Sequence, residues 1–189
     1  MRAISLRHRR FSLPLLTAAM ACGSDSRLPP AQFENVVDTV VLHALTGTPI
    51  ATPSAFDGIQ GIPVRTDLNL TFDFAVDLDG ANVLLLMPAG TLGYAEEPGL
   101  LVTAESFDGL TSAPLEGYAP DTVRTADVGT VFVLRSRASS ELCSLSGALP
   151  RYSKFQVLAI DLPARAITLA VLVDRNCGYR GLEPGLPAD

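Results

Sequence analysis

From Leu68 to Leu78 the chain alternates apolar and polar residues, with Ala75 the one small apolar residue in the polar set. Leu68, Leu70, Phe72, Phe74, Val76 and Leu78 share one parity; Asn69, Thr71, Asp73, Ala75 and Asp77 share the other. A period of two is the signature of a strand with one face buried, because successive side chains on a strand point to opposite faces. Asp79-Gly80 follows, a dipeptide favoured in two-residue hairpin turns where both central residues need positive φ. Val83 to Met87 then reads as the return strand. A two-residue turn would pair Leu78 with Ala81, Val76 with Val83, Phe74 with Leu85 and Phe72 with Met87, which aligns the apolar residues on one face.

The rest of the chain follows the same grammar. Val36 to Leu45, Thr130 to Ser136 and, more weakly, Leu100 to Ala104 are strand candidates. Tyr152 to Asp161 and Ala166 to Asp174 form a second predicted hairpin through Leu162-Pro163-Ala164-Arg165. Long helical periodicity is missing, and Gly, Pro and Asp-Gly pairs punctuate the ordered stretches. Short strands with turn signals between them predict an all-β domain, an antiparallel β-sandwich or partly open barrel. A single helical turn is expected within Ser139 to Gly147. Residues 31–182 read as one domain, and the Gly- and Pro-rich residues 183–189 as a tail expected to fray. No internal repeat is evident.

The N-terminus has a separate logic. Arg2, Arg7, Arg9 and Arg10 give a basic start, Phe11 to Ala21 is a short apolar stretch, and Ala19-Met20-Ala21 places small residues before Cys22. Residues 1–21 therefore read as a secretory signal peptide. The stretch is about half the roughly 20 residues a membrane-spanning helix needs, and Ser12, Pro14 and Thr17 interrupt it. With Cys22 directly after the small residues, the segment resembles a bacterial lipoprotein signal. That resemblance implies that Cys22 is acylated, becomes the mature N-terminus and holds the protein to a membrane. Gly23 in place of an aspartate implies the outer membrane. Residues 22–30, rich in Gly, Ser and Pro, would be a flexible tether between lipid and domain. Ala19-x-Ala21 also satisfies ordinary signal peptidase, so plain secretion is the competing reading.

Cysteine arithmetic bears on that choice. The chain has three cysteines: Cys22, Cys143 and Cys177. An odd cysteine in an exported protein requires an explanation. If Cys22 carries lipid, Cys143 and Cys177 remain as a pair in an oxidising compartment, where a disulfide persists.

Composition narrows the function classes. Net charge is −6 for the whole chain, and removing the four arginines of the signal takes it to −10. An acidic domain without a basic patch is not built for nucleic acid. Outside the signal the chain has a single histidine, His43, a single lysine, Lys154, and no Trp. His43 lies in a strand candidate, where packing is a commoner role than catalysis, and no G-x-S-x-G occurs. Ser153 and Lys154 are adjacent in a strand and so face opposite ways, which argues against a Ser-Lys dyad. No H-E-x-x-H or C-x-x-C zinc pattern is present. Asp77, Asp79 and Asn82 gather around the first predicted turn, with Asp77 and Asn82 as cross-strand neighbours. They form a weak Ca²⁺ candidate, short of the six to eight ligands that ion takes, and the same residue types serve turns. Glu96-Glu97 lies in a loop and reads as solvated charge. Tyr94, Tyr118 and Tyr179 could contact a ligand, though solitary loop tyrosines more often pack on their own sheet. The expectation is a non-catalytic binding or structural domain without a cofactor, anchored in a bacterial envelope. The alternative is a secreted or anchored hydrolase with an unrecognised site.

Overall fold

The computed structural model describes residues 28–94, 97–139, 143 and 148–187. Ten strands fill it: β1 Val37–His43, β2 Ala55–Asp57, β3 Ile62–Val64, β4 Phe74–Leu78, β5 Leu84–Pro88, β6 Gly99–Thr103, β7 Arg124–Ala126, β8 Val131–Arg135, β9 Tyr152–Asp161 and β10 Ala166–Val173. One short 3₁₀ turn, Ala89–Leu92, follows β5. The strands make two five-stranded sheets, ordered β1-β10-β9-β8-β6 and β3-β2-β4-β5-β7, with every pairing antiparallel. The fold is an all-β sandwich.

The main core lies between the sheets. Phe56 and Phe74 from one sheet meet Phe132 and Phe155 from the other, and all four are fully buried. Phe132 stacks on Phe155 with ring centroids 4.8 Å apart, and Phe56 meets Phe155 edge-on at 5.0 Å. Pairs of this geometry add about 0.5–1.5 kcal/mol each beyond the area they bury. Each sheet also buries part of its outer face. The segment carrying Phe107, Leu110 and Ala113 covers Val131, Val133, Ala170 and Leu172. Phe72, Val64 and Ala89 cover Ala55 and Ala75. Burial on both faces explains why β10 is apolar at both parities.

The C-terminal hairpin forms as predicted, with Val173 opposite Ser153 and Ala166 opposite Asp161; one register shift falls between Thr168 and Leu169. The first hairpin differs. Its strand begins at Phe74, and Leu68 and Leu70 are 73% and 64% exposed. Asn69 breaks the extended run, because its side-chain oxygen accepts the Thr71 backbone N–H at 2.9 Å in an Asx turn. The connection is longer than two residues. Asp79 Oδ1 accepts the N–H groups of both Ala81 and Val83 at 2.8 Å, and Asn82 takes φ 64°. Val76 therefore pairs with Leu86, and Asp77 with Leu85, not with Val83 and Asn82. The offset of three residues reverses parity, so Leu84 and Leu86 fill the core in place of Leu85 and Met87.

Both ends of the domain are better tied than expected. Asn35 and Gly185 exchange backbone hydrogen bonds of 2.7 and 3.0 Å, and Asn35 Nδ2 donates to the carbonyls of Gly181 and Glu183. The first part of the predicted tail, Glu183 and Gly185, is thus hydrogen-bonded to Asn35; 188–189 lie outside the described residues. The last part of the predicted tether is also docked, as Pro29 O accepts the Tyr179 hydroxyl at 2.8 Å. The signal, Cys22 to Arg27 and most of Ser139–Gly147 lie outside the described residues.

Candidate functional site

The strands bring five charged side chains to one end of the sandwich. Asp57 closes β2 and Asp73 precedes β4 in one sheet. Arg137 follows β8, Arg151 precedes β9 and Asp174 follows β10 in the other. Asp57, Asp73 and Asp174 are fully buried. Burying a carboxylate without a partner is costly, so each must find donors.

Arg137 supplies them across the sheets. Its Nη2 donates to Asp57 Oδ1 and Oδ2 at 3.0 and 3.1 Å, and its Nη1 donates to Asp73 Oδ2 at 2.8 Å. The Arg137 backbone N–H reaches Asp73 Oδ1 at 2.8 Å, and the Gly58 N–H reaches Asp73 Oδ2 at 2.6 Å. Gly58 is required for that approach. A Cβ there would stand 2.6 Å from a Leu134 methyl and 3.1 Å from the Asp73 carboxylate. Asp57 Oδ1 further accepts the N–H groups of Ile59 and Gln60. Burial pushes the Asp73 carboxyl up to about 6, outweighing the downward pull of Arg137 and of the Arg137 and Gly58 amides, with Asp57 adding to the rise.

Asp174 joins this end to the N-terminus. Its Oδ1 accepts the backbone N–H and the side-chain Nδ2 of Asn176, each at 2.8 Å, while Oδ2 is buried with no hydrogen-bond partner. Burial lifts this carboxyl also to about 6, against the two Asn176 hydrogen bonds and the Arg151 charge. Arg151 donates to the Ile59 carbonyl, and burial lowers its pKa from the usual guanidinium value. Asn176 Oδ1 accepts the N–H groups of Gln32 and Phe33 at 2.8 and 3.0 Å. Cys143 and Cys177 are disulfide-bonded, with Cα atoms 5.6 Å apart, so the Asp174–Tyr179 turn is covalently fastened to the segment after β8.

The chain matches no known family model and no curated protein. Its chemistry must therefore be read from the residues themselves. Arg137 bonds both Asp57 and Asp73, and backbone amides take up further acceptor positions, so the three side chains form a clasp between the sheets. No group of three or more His, Cys, Asp or Glu among the described residues is placed to hold a metal ion.

The residues singled out in the sequence are dispersed. Asp77 Oδ1 accepts the Thr46 N–H at 3.1 Å, the Thr46 hydroxyl at 2.9 Å and the Leu78 N–H at 2.8 Å, and Arg165 reaches it at 3.5 Å. Asp79 caps its own turn, and exposed Asn82 is not opposite Asp77. Of the proposed Ca²⁺ ligands, Asp77 and Asp79 thus use Oδ1 for hydrogen bonds to Thr46 and to backbone amides, and Asn82 is not brought opposite Asp77. His43 ends β1 opposite Ala166, half-buried, with a buried Nδ1 that has no hydrogen-bond partner. Lys154 is buried on the outer face of its sheet, where Nζ donates to the carbonyls of Phe107 and Leu110 at 2.6 and 3.0 Å and lies over the Phe107 ring. Burial lowers its pKa. Ser153 points the other way, as strand alternation requires. Glu97 accepts the Ala138 N–H at 3.1 Å; Glu96 lies outside the described residues. The loop tyrosines serve the fold: Tyr94 packs edge-on against Phe72, Tyr118 bonds to Pro114 O, and Tyr179 bonds to Pro29 O.

Sequence reading missed the Asp57–Asp73–Arg137 clasp. Asp73 has the parity of a solvent-facing residue, and Asp57-Gly58 looks like an ordinary turn. Arg137 itself stands beside Arg135 in the sequence, and nothing there names a partner for it.

Proposed function

We propose that this protein is a membrane-anchored envelope lipoprotein whose β-sandwich has a non-catalytic binding or structural role. One observation carries the reading. The two cysteines of the domain are bonded to each other, which leaves Cys22 as the single unpaired cysteine, directly after Ala19-Met20-Ala21. Acylation accounts for that thiol in an oxidising compartment. No helix among the described residues is long and apolar enough to cross a membrane. The non-catalytic half of the reading is supported by Asp57 and Asp73 of the charged cluster, which are buried and bound to Arg137 and to backbone amides.

Metabolic labelling with a palmitate analogue tests the anchor. Wild-type protein should take the label and sediment with membranes. Cys22→Ser should take none and appear in the soluble fraction, because Ala19-Met20-Ala21 still permits ordinary cleavage. A wild-type protein that is unlabelled and soluble would replace this reading with plain secretion.

A further inference from the structure

We infer that the end of the sandwich carrying the disulfide lies against the phospholipid bilayer, with Phe33, Val36 and Leu186 seated in the interface. This inference rests on the lipid-anchored reading and adds an orientation to it. The first ground is where the chain leaves the domain. Tyr179 holds Pro29, and Asn176 holds Gln32 and Phe33, so the path of the chain is fixed from Pro29 onward. Cys22 and Leu28 are six residues apart, and a fully extended chain of that length spans about 20 Å at most. A lipid on Cys22 therefore keeps this end of the domain within about that distance of the membrane.

The second ground is what this end exposes. Phe33, Val36 and Leu186 are 47%, 67% and 61% exposed. Leu186 is brought to the N-terminal segment by the pairing of Gly185 with Asn35. Arg175 lies over the Phe33 ring, 5.4 Å from its centroid. Exposed apolar side chains beside an arginine suit the bilayer boundary, where apolar groups enter the acyl region and a guanidinium reaches back to phosphate. Exposed Glu34, opposite Leu186 across the Asn35–Gly185 bridge, and Glu183 stand in the same neighbourhood and set the depth to which the apolar side chains can enter. The apolar contact is small and would not hold a free protein to a membrane. With the anchor in place it has only to orient the domain, because tethering raises its effective concentration. The opposite end, with the turns at Asp79–Val83 and Leu162–Arg165, would then point away from the membrane. The ten residues of β9 separate the two ends by about 30 Å.

The chain lacks Trp, so a single introduced Trp reports its own surroundings without background. The chain from Cys22 onward would be coupled through Cys22, its single free thiol, to a maleimide-headgroup phosphatidylethanolamine in phosphatidylcholine vesicles. The acyl chains would be brominated near the headgroup. Phe33→Trp and Leu186→Trp should each be quenched at least about twofold more than Leu162→Trp, as befits a side chain about 5–10 Å into the interface. Leu186→Trp, at an exposed site, carries the test if Phe33→Trp disturbs the fold. Equal quenching at all three positions, or none at any, would overturn the orientation. A blue-shifted but unquenched Trp at position 33 would overturn it too, and would assign the patch to a second copy of the chain. Since the anchor here is chemical, loss of quenching removes the bilayer contact alone, whereas loss of palmitate label in cells removes the anchored reading.

Discussion

The two ends of this sandwich use aspartate in opposite ways. At the end turned by Asp79–Val83 and Leu162–Arg165, the carboxylates stay near water and cap backbone amides. Asp79 accepts Ala81 and Val83, and Asp161 accepts Ala164 at 2.9 Å. At the other end Asp57, Asp73 and Asp174 are stripped of water, and two of them depend on Arg137. What lies against each carboxylate makes the difference. Asp79 and Asp161 sit on turns that meet water, whereas Asp57 and Asp73 meet the Arg137 side chain and the backbone amides of Gly58, Ile59, Gln60 and Arg137. An acidic residue at a strand end therefore has no fixed energetic meaning; what covers it decides whether it is a mild cap or a group that must be paired.

The sharpest way to break that contrast is to remove the shared partner. Arg137→Met leaves Asp57 and Asp73 buried side by side without the cation that bonds them both. Breaking a buried pair in this way costs about 3–5 kcal/mol, and urea denaturation at pH 7.5 should show a loss of that size. The loss should shrink at pH 5, where Asp73 can take up a proton. Adding Asp57→Asn to Arg137→Met should recover part of the loss, since the amide oxygen can keep the Ile59 and Gln60 N–H groups while one buried charge is removed. A near-neutral Arg137→Met would mean that the clasp is not a buried pair in energetic terms.

How much of this was legible beforehand depended on how each signal is encoded. The β9–β10 hairpin was readable because two long runs of strand-forming residues flank a single turn segment, Leu162-Pro163-Ala164-Arg165. The β4–β5 register was not. Leu84-Leu85-Leu86-Met87 is apolar at both parities, so the pattern could not choose between them, and the Asp79 side chain chose by lengthening the turn. Leu68 and Leu70 continued the alternation past the end of the strand, because periodicity records parity and not where a partner strand stops. Asp73 was placed on the solvent face by the same rule, yet its partner Arg137 is 64 positions away and Asp57 is 80 positions from that arginine. Contacts at that separation leave no local trace. Lys154 is a similar case, because only the fold shows that the Phe107–Leu110 segment closes over it.

A second way to sharpen the contrast uses pH. Asp174 is lifted to about 6 in the folded protein from 3.8 as a free side chain. A carboxyl with a raised folded pKa binds its proton more tightly folded than unfolded. Its contribution to stability is therefore fully present below the unfolded value and is lost as pH rises through about 6. Between pH 5 and pH 7 the domain should lose about 1 kcal/mol on this account. Asp73, also at about 6, should add a loss of the same sign. Asp174→Asn should make the pH 5-to-7 change in stability smaller by about 1 kcal/mol, measured by urea midpoints at the two values. An unaltered pH slope would show that Asp174 does not titrate in this range.

The smallest effect is expected at the open end. Asp79→Ala removes the acceptor for the Ala81 and Val83 amides, but both amides can turn to water, so the cost should be about 0.5–1 kcal/mol. Asp79→Asn keeps an oxygen at the same position and should fall closer to wild type. Neither change should move the register, because Leu84 and Leu86 are fully buried and a one-residue slip would turn both out of the core. Cross-strand proton contacts between Val76 and Leu86 should therefore persist in Asp79→Ala. If they were replaced by contacts between Val76 and Val83, the turn and not the core would be setting the pairing. If Asp79→Ala cost as much as Arg137→Met, the division between an open and a closed end would fail.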